Sequence, residues 1–221
     1  MNRRSKRIVD IALAAVGLLV LAPVIALIAL AVRIDLGSPV LFRQSRPGLH
    51  ESPFEMIKFR TMHEPPPGMT ASVSDLEHRI QDRARISTLG RFLRQTSLDE
   101  LPELWNVLKG DMSIVGPRPL LMEYLPLYTA EQTRRHEVRP GITGLAQIRG
   151  RHVLEWSERF KLDLWYIDHW SMRLDLEIIG ATASTVVRRS GQPPKDTPDN
   201  IFMGSATTTD ASAGTGDRRV G

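Results

Sequence analysis

The hydrophobic pattern of the chain is dominated by one uncharged and almost wholly apolar block over residues 11–32. A straight helix of this length extends roughly 33 Å at about 1.5 Å per residue, and the hydrocarbon core of a bilayer is about 30 Å thick. A single transmembrane span is therefore one interpretation of the block. A cleavable signal peptide fits poorly, because the stretch is long for a signal core and residues 32–35 match a small-residue cleavage site badly.

Two features of this block favour a re-entrant segment, in which a helix enters one leaflet, breaks and returns. Pro23 stands near its middle, where proline removes a backbone hydrogen bond and clashes with the preceding turn. Positive charge flanks both ends, with a basic N-terminus before the block and Arg33, Arg43 and Arg46 after it. Because cytoplasmic flanks carry the excess of Lys and Arg, both ends are expected on the cytoplasmic side. We therefore predict a helix–break–helix with its membrane break at Pro23.

Beyond residue 36 the pattern predicts an α+β domain that is mostly helical. Residues 38–42 and 54–62 are β-prone and predict a hairpin, with turn residues at 43–48. Helical patterns cover residues 74–85, 88–96, 97–109, 120–135, 153–170 and 174–189. Beyond residue 190 the chain is rich in Pro, Thr, Ser, Gly and Asp, and is expected to be disordered. The predicted organisation is a membrane segment over 1–36, a folded domain over 37–190 and a tail over 191–221.

The helical stretch over residues 153–170 carries an aromatic stripe with two interpretations. Its members are Trp156, Trp165, Tyr166 and Trp170. Core packing is one explanation, and placement of an amphipathic helix at the headgroup layer of a membrane is the other, since Trp and Tyr suit that layer. The sequence does not decide between them.

Charge and cysteine content narrow the function classes. The formal net charge is +4, and a basic cluster of Arg3, Arg4, Lys6 and Arg7 precedes the apolar block. Such a cluster suits an anionic cytoplasmic leaflet, at about 1 kcal/mol for each basic residue. No nucleic-acid-binding motif accompanies it, so nucleic acid is not an expected partner. The absence of cysteine excludes disulfides, thiolate catalysis and cysteine-bound metals.

The strongest candidate for chemistry is the acidic pair Asp99 and Glu100 at the entrance of the helix predicted over 97–109. One interpretation is purely structural: Ser97 and Glu100 have the spacing of a capping box, although Pro102 would start the regular helix nearer Leu101. The other is catalytic. A carboxylate at a helix N-terminus is expected to stay ionised, and an ionised carboxylate can attack phosphorus to form an acyl phosphate.

Several basic residues lie where they could bind phosphate. Arg91 and Arg94 share a face of the preceding helix, and Arg118 is held between two prolines that fix the local backbone. Lys58 lies on the second predicted strand. Alternatively, each of these side chains is simply solvated. The carboxylates, including Glu103, could also help to hold Mg²⁺, which commonly binds one or two carboxylates together with phosphate oxygens.

Five runs of residues in this order resemble the bacterial sugar transferase family, the small monotopic phosphoglycosyl transferases. They are KFRTM at 58–62, SLDELP at 97–102, NVLKGDMS at 106–113, VGPRP at 115–119 and VRPGITG at 138–144. The resemblance extends over roughly residues 5–190, and residues 120–128 and 135–170 particularly resemble the undecaprenyl-phosphate N,N'-diacetylbacillosamine-1-phosphate transferases. It implies a monotopic protein with a re-entrant helix broken at a Ser-Pro pair, which here is Ala22-Pro23, so the serine hydroxyl is missing.

The resemblance also implies a two-step reaction. Asp99 would attack a UDP-sugar, release UMP and carry the sugar phosphate, which undecaprenyl phosphate would then remove. Glu100 would complete the catalytic pair, Mg²⁺ would be the cofactor held at Asp99 and Glu100, and Arg94 and Arg118 match positions that stabilise the aspartate and bind phosphate. Two rival functions are a membrane glycosyltransferase that releases UDP and a non-catalytic membrane scaffold.

The same resemblance predicts the cellular setting. The catalytic domain would lie on the cytoplasmic face of the bacterial inner membrane, in contact with its lipid, where a soluble donor and a lipid acceptor meet. The donor is expected to be an N-acetylated UDP-sugar, although its identity cannot be read from these residues. The downstream glycan and the oligomeric state, monomer or homodimer, are equally undetermined.

Overall fold

A computed structural model describes residues 3–64, 85–150 and 154–187. The predicted helix over 74–85 lies almost entirely, and the predicted tail entirely, outside these residues. Within them the fold is mostly helical, as predicted, and it has four short strands, of which the sequence predicted two. The helices are α1 (Arg3–Asp35), α2 (Thr88–Thr96), α3 (Glu103–Lys109), α4 (Ala130–Thr133), α5 (Leu145–Arg149), α6 (Trp156–Asp168) and α7 (Met172–Val187). The strands are β1 (Leu41–Pro47), β2 (Pro53–Phe59), β3 (Ser113–Val115) and β4 (Gly141–Thr143).

The apolar block forms the greater part of one continuous helix, α1, with Pro23 inside it. The predicted interruption at Pro23 is therefore corrected: proline removes only one backbone hydrogen bond, and the helical conformation persists on both sides. By length and composition α1 could cross a membrane, and most of its surface is exposed. Its path relative to a bilayer remains a prediction.

One narrow face of α1 packs along the rest of the protein. Asp10, Ala14, Ile28 and Val32 are buried on this face, at spacings that return to the same side of a helix. Ala14 packs in a core cluster with Val107 of α3, whereas Ile28 and Val32 pack in another with side chains of β2 and α2. Both halves of the helix therefore contact the folded domain, and the opposite face leaves its apolar side chains exposed.

Polar contacts fix the two ends of α1. Near its start, Arg7 donates hydrogen bonds of 2.6 and 3.0 Å to the carbonyls of Val107 and Leu108, at the end of α3. Just beyond its end, the carbonyl of Leu36 accepts a hydrogen bond from buried Arg60. Arg7, expected at lipid headgroups with the other N-terminal basic residues, thus stabilises a helix end, where cations interact favourably with the dipole.

The hairpin was predicted correctly, but its turn lies further along the chain. β1 and β2 pair in antiparallel register from Leu41 opposite Phe59 to Pro47 opposite Pro53. Most of the residues expected in the turn therefore belong to β1, and the chain reverses around a 3₁₀ turn at Leu49–Glu51. Directly paired residues share a face, which places Lys58 and Phe42 on one side of the hairpin.

β3 and β4 form a parallel pair that the sequence did not predict. Ser113 lies opposite Gly141, and Val115 lies opposite Thr143. The strands come so close that a Cβ atom on Gly141 would lie 2.1 Å from the backbone nitrogen of Gly116, so only glycine fits there. Of this pair, β3 connects the end of α3 to the loop that contains residue 118.

The C-terminal helices cover the parallel pair. Tyr166 of α6 and Ile178 of α7 are buried in one cluster with Val115 and Leu145. Of the aromatic stripe, Tyr166 belongs to the core, whereas Trp165 is 46% exposed and stacks on His169 with ring centroids 4.5 Å apart. Core packing therefore explains Tyr166, and placement of the exposed Trp165 at the headgroup layer stays a prediction.

Candidate active site

The acidic pair lies in a tight connection between α2 and α3. Ser97 ends α2 in the left-handed conformation, with φ of 57°, and Leu98–Glu100 form a single 3₁₀ turn. Ser97 makes no side-chain capping hydrogen bond, so the alternative interpretation as a capping box does not hold. The regular helix begins at Glu103, directly after Pro102, because proline favours the start of a helix.

Glu100 is hydrogen-bonded to two cationic side chains. Its Oε1 accepts hydrogen bonds from Lys58 Nζ at 2.8 Å and from Arg118 at 2.7 Å. Burial opposes ionisation of this carboxyl, but the charges of Arg118 and Lys58 outweigh burial and lower the pKa of Glu100 to about 2. In the same contact the negative charge of Glu100 raises the pKa of Arg118. Glu100 therefore remains an anion that organises the two basic side chains.

Asp99 has the opposite environment. It is 8% exposed, and within residues 3–64, 85–150 and 154–187 no group donates a hydrogen bond to its carboxylate. Burial, followed by the negative charge of Glu100, raises the pKa of Asp99 to about 6, although Lys58, Arg94 and Arg118 act in the opposite direction. Burial thus outweighs the three cations in setting the pKa of Asp99, which the sequence did not indicate. At pH 7 and above, Asp99 is still mostly an anion, as expected from the sequence, and no described residue donates a hydrogen bond to its oxygens.

Glu103 belongs to the same cluster of charged side chains and is 1% exposed. Lys58 Nζ lies 3.0 Å from its Oε1, an ion-pair contact that lacks hydrogen-bond geometry. Burial and then the charge of Glu100 raise the pKa of Glu103 to about 7. Lys58 thus lies between two carboxylates of which only one is fully ionised at neutral pH.

Three of the four predicted phosphate-binding cations act on Asp99. Lys58 projects from β2, Arg118 from the loop after β3, and Arg94 from α2, where its Nε donates a 2.9 Å hydrogen bond to Thr61 Oγ1. All three favour the ionised form of Asp99. Arg91 is exposed on α2, and in the described part of the chain no side-chain contact brings it into this cluster.

The position of Arg118 depends on a buried ion pair that the sequence did not indicate. Arg135 donates hydrogen bonds to the Arg118 carbonyl at 2.9 Å and to Asp163 Oδ2 at 2.7 Å. The side chains of Arg135 and Asp163 are 2% and 4% exposed. The buried prolines on either side of Arg118 support the predicted rigid loop. Only the polarity of Asp163 within the apolar pattern of α6 could have signalled this pair.

Arg46 of β1 is a fourth cation in this region. Burial, followed by the positive charge of Arg118, lowers the pKa of Arg46 to about 10, whereas Glu103 acts in the opposite direction. The sequence indicated Arg46 only as a positive flank of the apolar block. No spacing motif links a residue on β1 to the acidic pair more than fifty positions away.

The cluster does not form a closed metal cage. Among the described residues no group of three or more His, Cys, Asp or Glu side chains is arranged to hold a metal ion. Mg²⁺, however, commonly uses one or two carboxylates and takes its other ligands from substrate phosphates and water. Of the two predicted ligands, Asp99 has oxygens that accept no hydrogen bond from the described residues, whereas Oε1 of Glu100 is already bound by two cations. The donor set therefore fits a magnesium ion that arrives with a phosphate.

Comparison with known proteins relates this site to a family. The profile described as "Bacterial sugar transferase" matches residues 1–189. The chain is 51% identical over 187 residues to "Uncharacterized sugar transferase EpsL" of Bacillus subtilis, with 84% of this chain and 89% of that protein covered.

Two further relatives have specific names. The chain is 40% identical to "UDP-glucose:undecaprenyl-phosphate glucose-1-phosphate transferase" of Caulobacter vibrioides, covering 82% of this chain and 69% of that protein. It is 34% identical to "Undecaprenyl-phosphate galactose phosphotransferase" of Salmonella typhimurium, covering 86% of this chain and 42% of that protein. Because the profile extends over most of its length, this chain belongs to the bacterial sugar transferase family.

Proposed function

We propose that this protein is a phosphoglycosyl transferase that moves a sugar 1-phosphate from a UDP-sugar to undecaprenyl phosphate and releases UMP. The observation that carries the proposal is the difference between the environments of Asp99 and Glu100. Glu100 is held by two cations, whereas the adjacent Asp99 is buried, beside three cations, and has no hydrogen-bond donor among the described residues. An uncommitted carboxylate surrounded by positive charge suits nucleophilic attack on a phosphate.

In the first step an oxygen of ionised Asp99 attacks the β-phosphorus of the UDP-sugar. The new oxygen–phosphorus bond forms as the bond from that phosphorus to the bridging oxygen breaks, and UMP leaves with the bonding electron pair. The sugar phosphate is then attached to Asp99 as an acyl phosphate. Arg118 and Lys58 face the negative charge of the phosphates, and Glu100 fixes their positions.

In the second step a phosphate oxygen of undecaprenyl phosphate attacks the same phosphorus. The bond to Asp99 breaks, the carboxylate is regenerated as an anion, and the product is a lipid-linked sugar diphosphate. The atoms balance without water, oxidant or reductant. Exclusion of water by the buried position of Asp99 protects the intermediate from hydrolysis.

Mg²⁺ is the proposed cofactor, held by Asp99 and by the free oxygen capacity of Glu100 together with substrate phosphate oxygens. When bound, it would neutralise charge on the phosphates. A cation at this position would also offset the burial that raises the pKa of Asp99.

The contacts of α1 support placement of the catalytic domain on one membrane face. A spanning helix carries its ends to opposite sides of a hydrocarbon core of about 30 Å. Here Arg7, near the start of α1, and Leu36, just after its end, both bond to the same domain. We therefore favour a monotopic arrangement in which both ends of α1 lie on the cytoplasmic face of the inner membrane.

The donor sugar is identified separately from the reaction class. The names of two relatives specify glucose and galactose. The sequence motifs led us to expect an N-acetylated sugar, and the resemblance to diacetylbacillosamine transferases stays a prediction. A panel of UDP-glucose, UDP-galactose and N-acetylated UDP-sugars would identify the donor.

The nucleotide product tests the reaction class. Membranes containing the protein are incubated with undecaprenyl phosphate and each UDP-sugar, and the nucleotides are separated chromatographically. We expect UMP, formed in equal amount to the lipid-linked sugar diphosphate. UDP as the product would indicate a glycosyltransferase that moves only the sugar, and the absence of turnover with every donor would favour a membrane scaffold.

A further inference from the structure

Arg46 is a partly buried cation that forms no ion pair with any described residue. Its Nε is buried without a hydrogen bond, and its Nη2 donates a 2.6 Å hydrogen bond to the neutral amide oxygen of Gln44. Within the described ranges no carboxylate lies within ion-pair distance of its guanidinium. Buried charges are ordinarily paired, so an arginine that gives up hydration for one neutral contact requires an explanation.

The hairpin places Arg46 on the same side as Lys58, which binds Glu100. Arg46 lies directly opposite Phe54 in the register, and Phe42 lies directly opposite Lys58. Alternation along β1 puts Phe42, Gln44 and Arg46 on one face, and paired residues share a face, so Arg46 and Lys58 project from the same side. The positive charge of Arg118 acts on Arg46 from the neighbouring loop.

The positive charge in this region is only partly bound by ion pairs. Lys58 and Arg118 are both bound to Glu100, and Nε of Arg94 donates a hydrogen bond to Thr61. Glu103 and Glu123 act on Arg46 through their charge, but among the described residues neither lies within ion-pair distance of its guanidinium. Arg46 is therefore the cation of this group whose buried Nε has no hydrogen bond among the described residues.

We propose that Arg46 binds a substrate phosphate group, acting beside Arg118 in the transfer reaction. This inference rests on the proposed function, and the phosphate could belong either to the UDP-sugar or to undecaprenyl phosphate. Both ligands present the same chemistry, a phosphate oxygen pair that matches the fork of a guanidinium. Binding would satisfy the buried Nε and offset the repulsion from Arg118.

Arg46→Gln is the test variant, and Arg43→Gln is its matched control. Arg43 lies on the same strand but on the opposite face, and its side chain is 59% exposed in a pair with exposed Glu55. Because a charged hydrogen bond to the phosphate is lost, Arg46→Gln should lower kcat/KM about 10- to 100-fold. The kcat/KM of Arg43→Gln should stay within about twofold of the wild-type value. Arg46→Lys, which retains charge but not the fork, should be intermediate.

Two half-reactions separate the phosphate sources. Slower UMP release from UDP-sugar without acceptor would assign Arg46 to the donor. Slower transfer from the loaded enzyme to undecaprenyl phosphate, with normal loading, would assign it to the acceptor. Rates equal to those of Arg43→Gln in both steps would overturn the proposal.

Thermal unfolding and UDP binding exclude a structural explanation. Arg46→Gln removes a buried charge that forms no ion pair with the described residues, so its Tm should not fall. If Arg46→Gln loses activity together with a lower Tm, and Arg46→Lys does not restore the activity, the proposal is also contradicted. Binding of UDP is measured on the same variants by calorimetry. If the wild-type protein binds UDP but releases no UMP, the proposed function is refuted. In that case, weaker UDP binding by Arg46→Gln than by Arg43→Gln would still support Arg46 as a phosphate ligand.

Discussion

Replacing Asp99, the proposed nucleophile, should make the protein more stable. Burial and Glu100 raise the pKa of Asp99 from an ordinary 3.8 to about 6, so the folded state holds this proton more tightly than the unfolded chain. The stabilisation from protonation is complete below pH of about 4 and is lost as pH rises through about 6. At pH 8 the ionised carboxylate therefore costs about 3 kcal/mol, from about two pKa units at about 1.4 kcal/mol each.

Asp99→Asn removes this cost because its amide is neutral. At about 2–4 °C per kcal/mol for a chain of this size, Tm at pH 8 should rise by up to about 6–12 °C. The gain should shrink towards zero as pH falls from 6 to 4. Tryptophan fluorescence reports unfolding of the detergent-solubilised protein, with chelator present and substrate absent so that no bound cation offsets the charge.

Asp35→Asn is the control for this experiment. Asp35 is an exposed carboxylate at the end of α1, and exposed substitutions usually change stability by less than about 0.5 kcal/mol. Its Tm should therefore follow that of wild type at every pH. A lower Tm for Asp99→Asn at pH 8, or a difference that does not vary with pH, would show that burial of the ionised carboxylate is not costly.

Three further predictions follow from the site. Because Asp99 becomes protonated, the rate of UMP release should fall about tenfold for each pH unit below about 6. A pH profile of kcat/KM measures this, and a flat profile down to pH 4 would contradict the assigned pKa. Chelation of divalent cations should abolish UMP release and Mg²⁺ should restore it, whereas full activity in EDTA would exclude the metal. Asp163→Asn should destabilise the fold by about 3–5 kcal/mol by leaving Arg135 unpaired, and unfolding at the same midpoint as wild type would refute this role.

Local patterns were predicted well where one segment determines its own structure. The helix expected over residues 88–96 is α2, and the hairpin of β1 and β2 follows from two β-prone runs. The turn was misplaced because residues 43–48 have turn-forming composition, yet pairing with β2 extends β1 through them. The short strands β3 and β4 carry no alternation over three residues, and their pairing depends on the close approach of Gly141 to Gly116.

The acidic pair was identified from sequence, but its electrostatics were not. Spacing along the chain indicated Asp99, Glu100 and nearby cations, and the fold brings Lys58 and Arg118 onto Glu100. The raised pKa of Asp99 could not be read from residue types because it depends mainly on burial. The contribution of Arg135 was equally hidden, since its partners lie 17 and 28 positions away.

Covalent capture of the sugar phosphate tests the central claim most directly. The wild-type protein is incubated with its UDP-sugar in the absence of undecaprenyl phosphate, quenched and digested, and the peptide that contains residue 99 is analysed by mass spectrometry. We predict a mass increase of one sugar phosphate on Asp99, lost on addition of the lipid acceptor and absent from Asp99→Asn. An unmodified peptide under conditions where UMP is released, or an adduct on another residue, would contradict the mechanism.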